Sequence, residues 1–312
     1  MKNIMKMLGC MMVIVFLAQA DYAKPKEEDY SVAYINDYEG DCELKKKGED
    51  IGEAVSDIYV SLYQGDTVIT EDDSRMEIVF DDSTIMKLDP NSRLVIRNLK
   101  REKTSETVLD LIKGKIYGIV KKLTQQEQFT VKTKMAMAAV KGTELIVQAG
   151  DEDKVGVYEG SVEVSNIDMN GKVLGRVIVD KNNEVTVVKN LHIPSRTRAL
   201  NVNFVKKYNE ITDLRKKIQY LREMRRTGKA RQYKLERRLK RIQDLKMMRS
   251  DPATLKHMSP GQKALVDEII KQEDYYQAQY DSLEGKESKH KSRIKAYMDQ
   301  KKQEQAEATP EE

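Results

Sequence analysis

Between Ala33 and Val188 the apolar residues recur at every second position in short runs, and each run ends in residues that turn the chain. Met76, Ile78 and Phe80 share one face before Asp81-Asp82-Ser83. Thr84, Met86 and Leu88 follow, then Asp89-Pro90-Asn91, then Leu94 and Ile96. The alternation continues through Leu109 and Leu111, Phe129 and Val131, Leu145 and Val147, and Val155 and Val157. It ends with Val162 and Val164, Val177 and Val179, and Val185 and Val187. Successive side chains on a strand point to opposite faces, so a period of two marks strands with one face in a core. Turn signals every ~8–12 residues predict an all-β sandwich, roll or solenoid of about ten to twelve short strands. Glu159-Gly160-Ser161, between two Val-rich runs, reads as a tight hairpin turn.

After Ile193-Pro194-Ser195 the period changes. Phe204, Tyr208, Ile211, Leu214, Ile218 and Leu221 recur at steps of three and four, the stripe of an amphipathic helix. Thr227-Gly228-Lys229 weakens that helix, and Leu235, Leu239, Ile242 and Leu245 carry the stripe on until Asp251-Pro252 ends it. Ser259-Pro260-Gly261-Gln262 supplies an N-cap, a first-turn proline and a capping-box Gln. The helix it opens carries Leu265, Val266, Ile269, Tyr276, Tyr280 and Leu283 and stops at Gly285. A weaker helix holds Ile294, Tyr297 and Met298. The heptads are imperfect, so residues 198–300 are expected to form an amphipathic helical region with coiled-coil-like stretches, followed by a disordered polar tail at 301–312.

The first twenty residues have a different logic. Lys2 and Lys6 precede an apolar run from Met7 to Ala18, and Ala18-Gln19-Ala20 offers a small-x-small cleavage site. That is the pattern of a cleaved export signal over 1–20, too short for a comfortable span of ~20 apolar residues. An uncleaved signal anchor is the rival reading; a lipid anchor on Cys10 is disfavoured because Cys10 precedes most of the apolar run. The mature chain is expected to start at Asp21 outside the cytoplasm, periplasmic or secreted, with 21–32 as a linker, 33–190 as the β domain and no membrane-spanning segment. Cleavage would leave Cys42 as the only thiol, either a buried apolar residue or a site of intermolecular pairing, with burial preferred.

Charge divides the chain as the periodicity does. Residues 21–200 hold 26 basic and 33 acidic side chains, a net −7, whereas residues 201–258 hold 18 and 6, a net +12. The basic helices are therefore the expected meeting point for an anionic envelope polymer or lipid, with Arg222, Arg225, Arg226, Arg237 and Arg238 as candidate contacts. Some of these arginines are alternatively available to pair with the acidic β domain. Export argues against nucleic acid as the partner. An envelope protein, or a second copy joined through the helices, is the other expectation.

The β half also carries a resemblance. Leu62-Tyr-Gln-Gly65-Asp66-Thr-Val-Ile-Thr70, then Ser74 to Phe80 with the Asp81-Asp82-Ser83 turn, then Leu88-x-x-x-Ser92-x-Leu94, resembles the FecR domain family. The likeness resumes at Leu109 to Tyr117 around Gly114, at Phe129-Thr-Val-Lys-Thr133, at Val140-Lys-Gly142-Thr143-Glu-Leu-Ile-Val147, and at Val157-Tyr-Glu-Gly160-Ser-Val-Glu-Val164. Asp82 stands where the family usually has Gly, and Leu145 where it usually has Phe. The resemblance implies an extracytoplasmic signalling or binding module. In the family's iron-uptake regulators that module follows a cytoplasmic anti-sigma bundle and a membrane helix, which a leader at residue 1 argues against here. The motif residues Gly65, Asp66, Asp81, Ser83, Ser92, Gly114, Gly142, Thr143 and Gly160 are expected to shape turns and close strand approaches.

Little in the sequence speaks for catalysis. Of three His, only His192 lies near the β domain, and no GxGxxG or GxxxxGK[ST] occurs. Glu71-Asp72-Asp73 and Asp81-Asp82 lack calcium-loop spacing and read as solvated turns. No cofactor or metal is expected. The sequence points to a non-catalytic binding or assembly module with a basic helical tether. The alternatives are a structural envelope protein acting through its helices and an extracytoplasmic signalling component.

Overall fold

The computed structural model describes residues 31–80, 84–101, 104–121, 124, 127–189, 196–285, 292 and 295. The export signal, most of the linker, Asp81, Ser83, His192, the weak helix around Tyr297 and the polar tail lie outside the described residues.

The strands in chain order are β1 (Ala33–Glu39), β2 (Cys42–Lys45), β3 (Glu53–Ala54), β4 (Ser61–Leu62), β5 (Thr67–Thr70), β6 (Arg75–Phe80), β7 (Ile85–Leu88), β8 (Ser92–Arg101) and β9 (Thr104–Ile119). They continue as β10 (Glu127–Lys132), β11 (Ala136–Val140), β12 (Glu144–Ala149), β13 (Asp153–Glu159), β14 (Ser161–Ile167), β15 (Val173–Asp180), β16 (Asn183–Val187) and β17 (Arg198–Ala199). Sheet I runs β4-β1-β6-β7-β9-β12-β13-β16-β17. Sheet II runs β3-β2-β5-β8-β9-β10-β11-β14-β15. Every pair is antiparallel except β9–β10.

β9 therefore belongs to both sheets. Residues 104–113 pair with β8 in sheet II, and residues 116–119 pair with β7 in sheet I. The crossing falls at Gly114, whose φ is +91°. The all-β expectation holds, as an open sandwich. Among the described residues, seventeen strands stand where about ten to twelve were expected. The excess comes from two-residue strands and from residues 33–62, where apolar alternation is thin.

Between the sheets lies one apolar core, including Ile35, Ile78, Leu94, Leu109, Val147 and Val185. Cys42 sits in it, and burial pushes its thiol up to about 12, which removes thiolate reactivity at neutral pH. Strand periodicity assigns Met76, Ile78 and Phe80 to this core, yet Val79 between them is buried as well. The same happens at Ile146 and Tyr158. Sheet I is buried on both faces, with a second cluster on its outer side.

Helices provide that cover. They are α1 (Val202–Lys206), α2 (Tyr208–Arg226), α3 (Ala230–Ser250), α4 (Pro252–His257) and α5 (Pro260–Ile270), with α6 described over residues 273–285. Gly228 takes a φ of +72° and ends α2, so the weakened turn is a full break between two helices. Ser259 and Gln262 form the capping box that opens α5. Leu235, Ile242, Ile269 and Tyr276 make a third cluster among α3, α5 and α6. No described helix is long and apolar enough to cross a membrane.

Candidate functional interface between the helices and sheet I

The family-motif residues build the frame. Gly65, Gly114, Gly142 and Gly160 all have positive φ. The buried Asp66 carboxylate accepts from the Tyr63 amide at 3.0 Å, the Lys47 amide at 3.3 Å and Lys46 Nζ at 2.8 Å, which locks the turn before β5. Ser92 Oγ accepts from the Lys115 amide at 2.9 Å, beside Gly114. Thr143 Oγ1 donates to the Ser161 carbonyl at 3.0 Å and joins two turns. These contacts are structural, and they hold the strands whose outward residues meet the helices.

Apolar contact comes first in that meeting. Val79, Ile85, Tyr117, Ile146 and Tyr158 project from sheet I onto Phe204 of α1 and Ile211, Leu214 and Ile218 of α2. Gly156 makes room: a Cβ there would lie 2.7 Å from the Phe204 ring and 2.8 Å from Leu200. The Tyr158 hydroxyl donates to the Phe204 carbonyl at 2.7 Å, fixing α1 in place. Asn201 caps α1 and also donates its amide to the buried Glu184 at 3.0 Å.

Around this apolar strip the acidic body meets the basic helices. Lys207 bonds Asp89 at 2.7 Å and Glu210 at 2.9 Å, and the Tyr117 hydroxyl donates to Glu210. Burial opposes ionisation of Glu210, but Tyr117, Lys207 and Lys87 outweigh it and hold its carboxyl below the usual range. Arg215 forms a two-pronged pair with Glu144, with Nε at 2.6 Å. Lys217 reaches both oxygens of the buried Glu77 at 2.9 and 2.8 Å. Replacing Lys217 by Ala takes the ammonium group from the buried Glu77 carboxylate, and urea unfolding should show a loss of ~3 kcal/mol. Replacing both Lys217 and Glu77 by Leu should recover most of it; failure to recover would show that the pair is not the source of the loss.

A register shift in β1 between Ile35 and Asp37 completes the arrangement. The extra residue at a bulge re-aims side chains, and Asn36 here donates to Glu77 while accepting from Arg237 Nη1 at 3.1 Å. Arg237 also bonds Asp37 at 2.8 Å, and Arg238 bonds Asp57 and the Ile58 carbonyl, each at 2.9 Å. Arg241 stacks over the Tyr38 ring at 4.0 Å. Arg237 and Arg238, expected among contacts to an outside anion, are thus engaged by the β body itself. Arg222, Arg225 and Arg226 lie exposed near the end of α2, with Arg226 paired to Glu223 at 2.7 Å. The five arginines do not share one exposed surface: Arg237 and Arg238 are turned to the body, whereas Arg222, Arg225 and Arg226 are exposed.

At the mouth of the α2–α3 turn a cleft of about 80 Å³ is lined by Tyr34, Tyr59, Leu221, Met224 and Tyr233, with Lys234 Nζ over the Tyr34 ring at 4.2 Å and the Tyr59 ring at 5.0 Å. Burial pushes Tyr34 up to about 12, against the lowering pull of Arg225 and Arg237, and it raises Tyr59 and Tyr158 too. A neutral buried ring stabilises the fold fully below its unfolded value near 10, and this is lost as pH rises through about 12 for Tyr34. Alkaline titration should therefore show late tyrosinate absorbance that coincides with loss of the circular dichroism signal. Ionisation of all tyrosines near pH 10, with the fold intact, would contradict this burial.

Among the described residues, no group of three or more His, Cys, Asp and Glu side chains is placed to hold a metal ion. What the geometry offers is a two-sheet scaffold with one face closed by its own helices and one face, on sheet II, whose outward residues such as Arg93, Arg97 and Glu163 are exposed among the described residues.

Within this frame, residues 66–163 match the family model described as FecR protein. Two crystal structures of a candidate anti-sigma factor from Parabacteroides distasonis, at 1.65 and 2.50 Å resolution, align with a TM-score of 0.36 and 18% identity. The alignment covers 46% of this chain and 63% of that one. No curated protein matches the chain in sequence.

Proposed function

We propose that this chain is an exported, non-catalytic regulatory component, acting in extracytoplasmic signalling in preference to serving as a plain binding or assembly module. The observation that carries this reading is the FecR match over residues 66–163, whose frame residues are spent on turns and strand crossings and not on a reactive centre. The basic helices are the domain's own cover, which removes the main reason for treating them as a free tether. Signalling then runs through exposed loops and sheet II, toward an envelope protein. The test compares transcript levels between cells that make the chain and cells from which it is deleted, with N-terminal sequencing of the envelope-fraction protein. A defined set of altered transcripts, restored by the full chain, together with a mature terminus at Asp21, is the expected result. Unaltered transcripts under all growth conditions would sink the signalling reading.

A second reading keeps an anionic polymer or lipid as partner, resting on Arg222, Arg225 and Arg226 at the exposed end of α2. Binding to anionic vesicles should then weaken steeply with salt, since screening shortens the reach of exposed charges to ~8 Å at physiological ionic strength. Changing those three residues to Gln should reduce it without unfolding the chain.

A further inference from the structure

A sheet edge is a row of unpaired amides and carbonyls, and proteins blunt such edges with short strands, prolines, lysines or cover. Among the described residues, three of the four edges are blunted in this way: β3, β4 and β17 are two residues each. The fourth is β15, Val173-Leu-Gly-Arg-Val-Ile-Val-Asp180, eight residues without proline or lysine. It pairs with β14 on one side, and among the described residues no strand pairs with its other side. Ile178 on its outward face is 60% exposed. The chain returns to this end of the body where the Leu200 amide donates to the Asn182 carbonyl, which places the exposed Val202 of α1 beside the turn that follows β15.

The order of side chains on β15 identifies what fits the edge. Arg176, Ile178 and Asp180 are all exposed and share the outer face, while Val177 and Val179 point inward. We propose that β15 is a self-association edge that takes the β15 of a second copy of this chain, antiparallel, about a twofold axis through Ile178. In that register each Arg176 stands opposite the partner's Asp180, the two Ile178 side chains meet, and Val177 faces Val179 on the inner side. Shifting the axis to Arg176 sets like charges opposite each other, and shifting it to Val177 sets Arg176 against Ile178. Only the register through Ile178 satisfies both charge and apolar matching. The strand is its own complement. The result is one sheet running through two molecules, with the helix-covered faces of both left as they are.

The test is sedimentation of the full chain over a concentration series, because one strand pair buries less than the ~1,200 Å² of a standard stable interface and dimers will appear only at high concentration. Arg176→Asp and Asp180→Arg should each weaken dimerisation by about tenfold or more, since each reversal turns two attractive pairs into two repulsive ones. The double variant R176D/D180R should restore it. Ile178→Cys should give a disulfide-linked dimer on mild oxidation well above the wild-type background. A chain that stays monomeric at every concentration overturns the proposal. So do single reversals that dimerise like wild type, a double variant that fails to recover, or an Ile178→Cys chain linked no more than wild type. Dimers held by the helices instead would show as single reversals without effect.

Discussion

A chain ended after Lys189 is expected to leave solution, or to persist only as a dye-binding, non-cooperatively melting species. The reason is that the helices complete the core. Ending there uncovers Val79, Ile85, Tyr117, Ile146 and Tyr158 on sheet I. At ~1.5–3 kcal/mol per buried side chain their burial is worth on the order of 10 kcal/mol, against a total stability of about 5–15 kcal/mol for a domain. The truncation also strands the carboxylates of Glu77, Glu144 and Glu184 without Lys217, Arg215 and Arg198. Scanning calorimetry on the truncated and full chains decides the matter. A truncated body that melts as sharply as the full chain would mean that sheet I is stable when open to water.

Gly114→Val is the single substitution with the largest expected effect. Two independent penalties coincide at this residue. Its φ of +91° is barred to β-branched side chains, and a Cβ there would lie 2.5 Å from the Ser92 Cα, which is backbone and cannot swing aside. A loss of ~4 kcal/mol or more is expected, enough to deplete folded protein at physiological temperature. Gly142→Val, strained through its φ of +72°, should cost ~1–3 kcal/mol. Equal midpoints in urea for Gly114→Val and wild type would show that β9 can cross between the sheets elsewhere.

Much of this architecture is legible in the residues. The period of two places Met76, Ile78 and Phe80 in the core between the sheets, and the stripe from Phe204 to Ile218 marks the helix that packs outside. The cover itself is written in a weaker signal. Runs such as Ile78-Val79-Phe80 and Leu145-Ile146-Val147 are continuously apolar, which marks a strand buried on both faces. Read for alternation alone, the odd member looks like noise. The charge division between −7 and +12 is equally plain, but composition does not say whether opposite charges meet within one chain or across two. Part of that meeting runs through Asn36, whose bulge aims it at Glu77 and Arg237, and no local pattern announces a bulge. The two-residue strands fall below any periodic signal, so the blunted edges, and with them the exceptional length of β15, emerge only from the pairing.

The sixteen residues of β9 carry a further consequence. Because one strand is hydrogen-bonded at its start into sheet II and at its end into sheet I, neither sheet can open without loosening the strand that the other depends on. Opening is therefore coupled across the sandwich, and its amides should exchange with solvent as one slow block and not as two. Such coupling also sets the order of assembly. The partners β7 and β8 precede β9 in the chain and β10 and β12 follow it, so β9 is the strand at which both layers begin to close.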